Sequence, residues 1–287
     1  MKDKEKIFII KLGGSCFSDK TVPKSLHLDT IDILCKQLEE LGIKAIIVHG
    51  GGSFGHPVAK KYAIQNGFDP SIKDQAMGFA LTHHAMVELN YQIINRMLDN
   101  GIPAYPLQTS AIFIQDSNKV SSAYHEPVIK LLEKGFYPVL YGDSVLDLKR
   151  QFGIMSGDSI IVDLVNSLDV SIGAIIYLMD VDGLYTSNPK EKDEARLISH
   201  VILRNNTFYV ESDGAEVKLE DFISASDSSI DVTGGIINKF HELKRVHKKD
   251  TIVYLINGRK QGTIIDVIEK GKQNCTKIVI NPTEAME

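Results

Sequence analysis

Short apolar runs that end abruptly in glycine or aspartate constrain this chain more than any other feature of its sequence. Ile7-Phe8-Ile9-Ile10 passes through Lys11-Leu12 into Gly13-Gly14, and Ala45-Ile46-Ile47-Val48 runs into His49-Gly50-Gly51-Gly52. Phe136 to Tyr141 leads into Gly142-Asp143, and Ala174 to Met179 leads into Asp180-Val181-Asp182-Gly183. None of these runs alternates apolar with polar residues, which is the pattern of strands covered on both faces. Helical stripes lie between them. Leu28, Ile31, Leu34, Leu38 and Leu41 recur at helical spacing, with Asp29 as a candidate cap and Gly42 as a stop. A second long helix is expected around Gly78 to Asn100, a third near Gly235 to His247, and a further strand at Thr251 to Ile256. The expected fold is α/β, with a mainly parallel central sheet sandwiched by helices. In such sheets the ligand sits beyond the carboxyl ends of the strands, where every one of these turns lies. Residues 190–230 are more polar and read as a surface excursion with β-hairpin potential at Phe208 to Lys218.

Composition excludes several classes. With 32 Lys+Arg against 37 Asp+Glu, the net charge of −5 argues against nucleic acid as a main partner. The longest apolar run, Val170 to Met179, is about half of the roughly 20 residues that a membrane span needs. No membrane partner is expected, and the location is read as cytoplasmic. Cys16, Cys35 and Cys275 are few and far apart, so free thiols are expected rather than a disulfide frame or a zinc site.

Four groups of turns could carry chemistry. Lys11-Leu12-Gly13-Gly14-Ser15 offers a point charge beside glycines whose N–H groups can approach a phosphate. His49-Gly50-Gly51-Gly52-Ser53-Phe54-Gly55-His56 puts a glycine nest at a helix N-terminus, an anion site, with His56 at its rim. The same stretch formally matches two other signatures. Gly50-x-Gly52-x-x-Gly55 fits a dinucleotide fingerprint, the reading of an NAD(P)-binding oxidoreductase, and Gly51-x-Ser53-x-Gly55 fits a nucleophile elbow. Gly142-Asp143, Ser156-Gly157-Asp158 and Asp180-Val181-Asp182-Gly183 are acidic turns that can orient lysines or hold Mg²⁺. Asp231-Val232-Thr233-Gly234-Gly235 leads into a helix presenting Lys239. His83 and His84 point apart on their helix and make no metal pair; no metal-ligand set is read.

In this order the motifs resemble the amino acid kinase superfamily, and within it the isopentenyl phosphate kinases. The Gly-Gly-Gly-Ser-Phe-Gly-His string ending at His56, and Lys20 nine residues past Lys11, are the specific points. The resemblance implies a single three-layer domain over 1–287, with an acceptor-binding lobe at 1–165 and an ATP-binding lobe at 166–287. It implies ATP with Mg²⁺, and phosphorylation of isopentenyl phosphate to the diphosphate in isoprene biosynthesis. A phosphonate such as fosfomycin is the near alternative acceptor. It places Lys11, Lys20, Gly13, Gly14, Gly52, Asp180, Asp182, Gly183, Gly234, Gly235 and Lys239 around ATP. Gly51, Gly55, His56 and Gly157 would hold the acceptor phosphate, with Lys11, Lys20 and His56 as the catalytic set. Met77, Phe79, Ala80, Thr82, His83 and Met86 would wall the acceptor's carbon chain. Relatives with this fold are often dimers, which leaves room for a homodimer.

Overall fold

The computed structural model describes residues 6–19, 21–212, 215–225, 234–271 and 274–281. The chain first runs through β1 (Ile7–Leu12), α1 (Gly14–Phe17), α2 (Leu28–Leu41), β2 (Lys44–His49), α3 (Gly52–Lys61) and α4 (Gln75–Asp99). A middle section holds β3 (Ala104–Pro106), α5 (Thr109–Ile112), β4 (Phe113–Asp116), β5 (Lys119–Ala123), α6 (Glu126–Glu133), β6 (Tyr137–Tyr141), β7 (Asp143–Asp147) and β8 (Gln151–Met155). Then follow α7 (Gly157–Ser167), β9 (Ile172–Met179), β10 (Leu184–Tyr185), β11 (Leu197–Ile198), β12 (His200–Arg204) and β13 (Thr207–Ser212). The last elements used below are β14 (Ala215–Lys218), α8 (Leu219–Ala225), α9 (Gly234–Leu243), β15 (Thr251–Asn257) and β16 (Thr276–Asn281).

Ten strands form the main sheet in the order β14-β13-β12-β16-β15-β9-β1-β2-β6-β3. Pairing is parallel from β15 through β9, β1, β2 and β6 to β3. Antiparallel pairs join β16 to β15 and close the other edge through β12, β13 and β14. The mainly parallel, helix-covered sheet is therefore as expected. The side chains of β1 alternate between two cores. Phe8 and Ile10 pack with Ile31, Leu34 and Leu38 of α2 and Leu89 and Ile93 of α4. Ile7 and Ile9 face the opposite side with Val128 of α6 and Ile160, Ile161 and Leu164 of α7. Strand period two puts Lys11 on the same face as Ile9, toward α7.

Register assembles the site. Leu12 lies opposite His49 of β2 and Leu178 of β9, so three strands end side by side and their turns emerge together.

Several local expectations change. Asp29 lies inside the first turn of α2, and His27 occupies the cap position without a side-chain cap bond. Gly42 does end that helix in the left-handed conformation, at φ 56°. The hairpin is present as β13–β14. The segment around it is more than a surface excursion: Val201, Leu203, Phe208 and Val210 are buried in the core, which extends the main sheet through β12 and β13. Part of the serine-rich stretch from Ser224 to Ser229 lies outside the described residues. A four-stranded sheet, β5-β4-β7-β8, was not foreseen. Its strands are short and mix polar with apolar residues, so they carry no long apolar run.

No helix among the described residues is long and apolar enough to cross a membrane. The three cysteines are buried, and none is in a disulfide among the described residues.

Candidate active site

The turns beyond β1, β2, β6 and β9 are stitched together by backbone. Gly13 N–H donates to Leu178 O at 3.0 Å, Gly50 N–H to Leu12 O at 3.2 Å and Gly142 N–H to His49 O at 3.0 Å. Glycine is required where backbones meet. A Cβ on Gly14 would stand 3.0 Å from the Gly52 Cα, and Gly52 itself adopts φ +49°. The N-termini of α3 and α7 border one cleft of about 1080 Å³, which Gly50, Gly51, Ser156 and Gly157 line. Both ends contribute partial positive charge. Ser156 caps α7, its Oγ accepting from Ser159 N–H at 3.0 Å.

A buried ion cluster sits under this cleft. Lys11 Nζ is 2.5 Å from Asp158 Oδ2, and their side chains are 7% and 12% exposed. The two ammonium groups of Lys11 and Lys239 lie 5.5 Å and 4.8 Å from the centre of the same Tyr177 ring. Burial opposes ionisation of Asp158, but the charges of Lys11 and Lys239 outweigh it and hold the carboxyl below its ordinary range. Asp158 Oδ1 is buried, and the Tyr177 hydroxyl also helps to hold the carboxyl low. A Cβ on Gly157 would come within 3.2 Å of Lys11 Cε, so glycine there leaves room for the lysine stem.

Most of the residues expected at a site meet here. Gly13, Gly14, Gly51, Gly55, His56, Gly157, Asp180, Gly183 and Lys239 line the cleft together with Lys11. The His56 ring stands over Gly51, where a Cβ would be 3.1 Å from its Cδ2 and 3.4 Å from the Met86 sulfur. Asp180 is paired with Lys190. Burial raises its pKa, but hydrogen bonds from Lys190 and Ser15 prevail and leave it lowered.

Others are placed differently. Asp182 is turned to Asn257 Nδ2 at 3.1 Å and Lys260 Nζ at 2.6 Å and does not line the cleft. Gly52 contributes the backbone contact with Gly14 rather than a cleft wall. Gly234 and Gly235 begin α9, of which Ile236, Asn238 and Lys239 reach the cleft. Lys20 and Asp231 to Thr233 lie outside the described residues. Of the six side chains expected to wall a carbon chain, Thr82 and Met86 line the cleft, Met77 is 59% exposed and Phe79 stacks on Phe152. Ser53, the serine of the elbow pattern, is buried and donates its hydroxyl to Ser25 O, which removes it as a nucleophile.

Sequence reasoning missed three features of the site. Tyr177 reads as strand core, yet it underlies both lysines. Arg259 donates to Ser15 O at 2.8 Å and Cys16 O at 3.0 Å, clamping α1 from the end of β15. Lys190 lies in a polar segment without a motif. Asp143, singled out with its turn, lines the cleft, where it meets His83 Nδ1 at 3.0 Å and accepts from Ser144 N–H. Among the described residues no cluster of three or more His, Cys, Asp or Glu side chains could hold a metal.

His49 supports the site from below. It is fully buried, stacks on Tyr141 at 5.3 Å and reaches Asn90 Oδ1 at 3.2 Å. Burial pushes its pKa down to about 4, against hydrogen bonds to Gly50 and Asn90 that raise it. The unfolded chain therefore binds more protons below the ordinary histidine pKa. This contribution to stability is complete above about pH 6.5 and is lost as pH falls toward 4, on the order of 3 kcal/mol in all. Urea unfolding of the wild type and of His49→Phe at about pH 7 and about pH 4.5 checks it. The variant should lose less stability on acidification, and an equal loss would contradict the assignment.

The amino acid kinase family matches residues 6–256 of the chain. Isopentenyl phosphate kinase of Methanothermobacter thermautotrophicus is 32% identical over 90% of this chain and 93% of its own length. The isopentenyl phosphate kinase of Thermoplasma acidophilum is 30% identical over 96% of this chain and the whole of the relative. Among solved structures, an isopentenyl phosphate kinase superposes with a TM-score of 0.76 at 29% identity, covering 95% of this chain and 99% of the other. Aspartate kinase from Synechocystis, at 13% identity and a TM-score of 0.61 over 98% of this chain and 41% of that one, shares the fold. The chain therefore belongs to the amino acid kinase family and stands within it beside the isopentenyl phosphate kinases.

Proposed function

We propose that this chain transfers the γ-phosphoryl group of ATP to a phosphate monoester, with isopentenyl phosphate as acceptor and the diphosphate and ADP as products. The observation that carries the reading is the convergence of Lys11, Lys239, two helix N-termini and His56 on one cleft. A phosphate monoester has a second pKa near ~6, so its oxygen is already a nucleophile at neutral pH. The obstacle is repulsion between anions. At about 4 Å and an effective dielectric of about 20, each pair of unit charges contributes roughly 4 kcal/mol. Fixed cations and N–H donors answer that need, so catalysis is mainly positioning and charge stabilisation.

In this reading the glycines of β1–α1, Asp180, Gly183, Lys190 and Lys239 hold the nucleotide, so residues 166–287 serve mainly ATP. Residues 1–165 serve mainly the acceptor, through Gly51, Gly55, His56 and the adjoining Gly157. Lys11, held by Asp158, stabilises the transferring group as an acceptor oxygen bonds to the γ-phosphorus and the bond to the β-phosphate oxygen breaks. Lys20 completes the catalytic set by its position in the sequence. Among the acidic residues that line the cleft, Asp158 and Asp180 would be the protein partners of a phosphate-bound Mg²⁺. Mg²⁺ supplies charge neutralisation on the phosphates.

The acceptor end is amphiphilic. His56 and the Met86 sulfur both lie against Gly51, so a phosphate on the imidazole leaves its carbon chain beside an apolar side chain. This favours an alkyl phosphate over a polar phosphonate such as fosfomycin. A coupled ADP-release screen across isopentenyl phosphate, dimethylallyl phosphate, fosfomycin, UMP and carboxylates tests the assignment, which fails if no phosphate monoester is turned over. His56→Ala should raise the acceptor KM by about tenfold or more and lower kcat, with the KM for ATP little changed. His56→Gln, which keeps a donor, should retain more activity. An unaltered acceptor KM and kcat in His56→Ala would make His56 a structural residue.

A further inference from the structure

The floor beneath the two cleft lysines is aromatic. Tyr177 lies on β9, is 1% exposed and packs in the core that α7 and α9 cover, with Ile160, Ile161 and Leu243. Parallel register sets it opposite Lys11 of β1 on one side and Leu255 of β15 on the other. The residues beside it on the same face of β9, Ile175 and Met179, are not aromatic, and neither is Leu255. Packing at this level of the sheet is met without a ring, so Tyr177 brings something that one more Leu or Ile would not.

The ring meets cations. Lys11 Nζ lies 5.5 Å and Lys239 Nζ 4.8 Å from its centre. The two ammonium groups arrive from separate elements, β1 and α9, and both residues are buried. Like charges repel, and a low local dielectric strengthens the repulsion. An aromatic face carries the negative part of the ring quadrupole and attracts an ammonium, more strongly when both are desolvated. Asp158 is the other neighbour that the lysines share: it pairs with Lys11 at 2.5 Å, and the charge of Lys239 acts on it too. The ring adds to that carboxylate a surface fixed by the sheet itself, against which both ammonium groups are placed.

We propose that Tyr177 is a positioning residue for phosphoryl transfer: the face of its ring holds the Lys11 and Lys239 ammonium groups at the spacing the transferring group needs. It acts through the lysines and not on the substrates, and the ring rather than the hydroxyl carries the role. Misplacing a catalytic group by about 1 Å can cost roughly 10²-fold, so a fixed platform has a large lever on rate. The inference rests on the kinase reading and adds to it a residue outside every motif of the sequence.

The test replaces Tyr177 by phenylalanine and then by phenylalanines of increasing ring fluorination, which keep the shape while draining negative charge from the π face. Coupled ADP release gives kcat and KM, and thermal unfolding follows the fold. Tyr177→Phe should keep kcat within about threefold of the wild type. Across the fluorinated series kcat should fall stepwise, by about tenfold in all, with the acceptor KM and the melting temperature little changed. Tyr177→Leu, which fills much of the space without a π face, should lose at least as much. A flat kcat across the series is what a packing residue would show and overturns the inference, as does full activity in folded Tyr177→Leu or a loss in Tyr177→Phe as large as that in Tyr177→Leu. If Tyr177→Leu fails to fold, the fluorinated series decides alone. If the wild type converts isopentenyl phosphate and the series is flat, only this inference falls. If no phosphate ester releases ADP, the kinase reading falls and this inference with it.

Discussion

Lys11→Ala is expected to lower kcat by roughly 10³-fold, the scale on which removing one preorganised charge stabiliser acts. The fold should survive, because Lys239 still faces Asp158 across the Tyr177 ring. Lys11→Arg should recover little. A guanidinium is broad and planar, while the space beside Gly157 admits a slender stem, with Lys11 Cε 3.2 Å from where a Cβ on Gly157 would be. Single-turnover measurement with saturating ATP separates this loss from binding. Near-normal turnover in Lys11→Ala would take the residue out of the chemistry.

Asp158→Ala is expected to damage both stability and activity. The substitution takes from the buried Lys11 ammonium, 6% exposed, the carboxylate with which it is paired. Removing one partner from such a buried set costs about 3–5 kcal/mol. Added Mg-ATP brings negative charge to the same place, so it should raise the melting temperature of Asp158→Ala more than that of the wild type. Thermal unfolding with and without nucleotide checks both statements. A variant that melts like the wild type, with no larger nucleotide shift, would mean that Asp158 does not balance the lysines.

The parts of this site that were legible in the sequence are those whose chemistry is local. Gly13-Gly14 and Gly50-Gly51-Gly52 announce strand ends because glycine permits backbone approaches that other residues forbid. Lys11 stands out because a cation near the end of an apolar strand needs a reason. The pairing of Lys11 with Asp158 was not legible, since it depends on α7 lying over the face of β1 that carries Ile9. Tyr177 was hidden for the converse reason: within Ile172–Met179 it looks like one more core residue. Asp182 shows the opposite failure. It belongs to a turn at the right strand end, but Asn257 and Lys260 draw its carboxylate away. The small sheet β5-β4-β7-β8 escaped because a strand of four residues with alternating exposure, such as Phe113–Asp116, leaves too weak a period to recognise.

The contact between Gly14 and Gly52 acts as a gauge block. On the proposed reading it fixes the gap between donor and recipient by main chain alone, with the Gly14 Cβ position 3.0 Å from the neighbouring Cα. Side chains of α4 that line the cleft, such as Thr82 and Met86, can then be exchanged without disturbing that spacing. A lineage carrying this scaffold can change its diet while leaving the transfer geometry untouched, and directed evolution toward new recipients should accumulate its changes in those α4 positions.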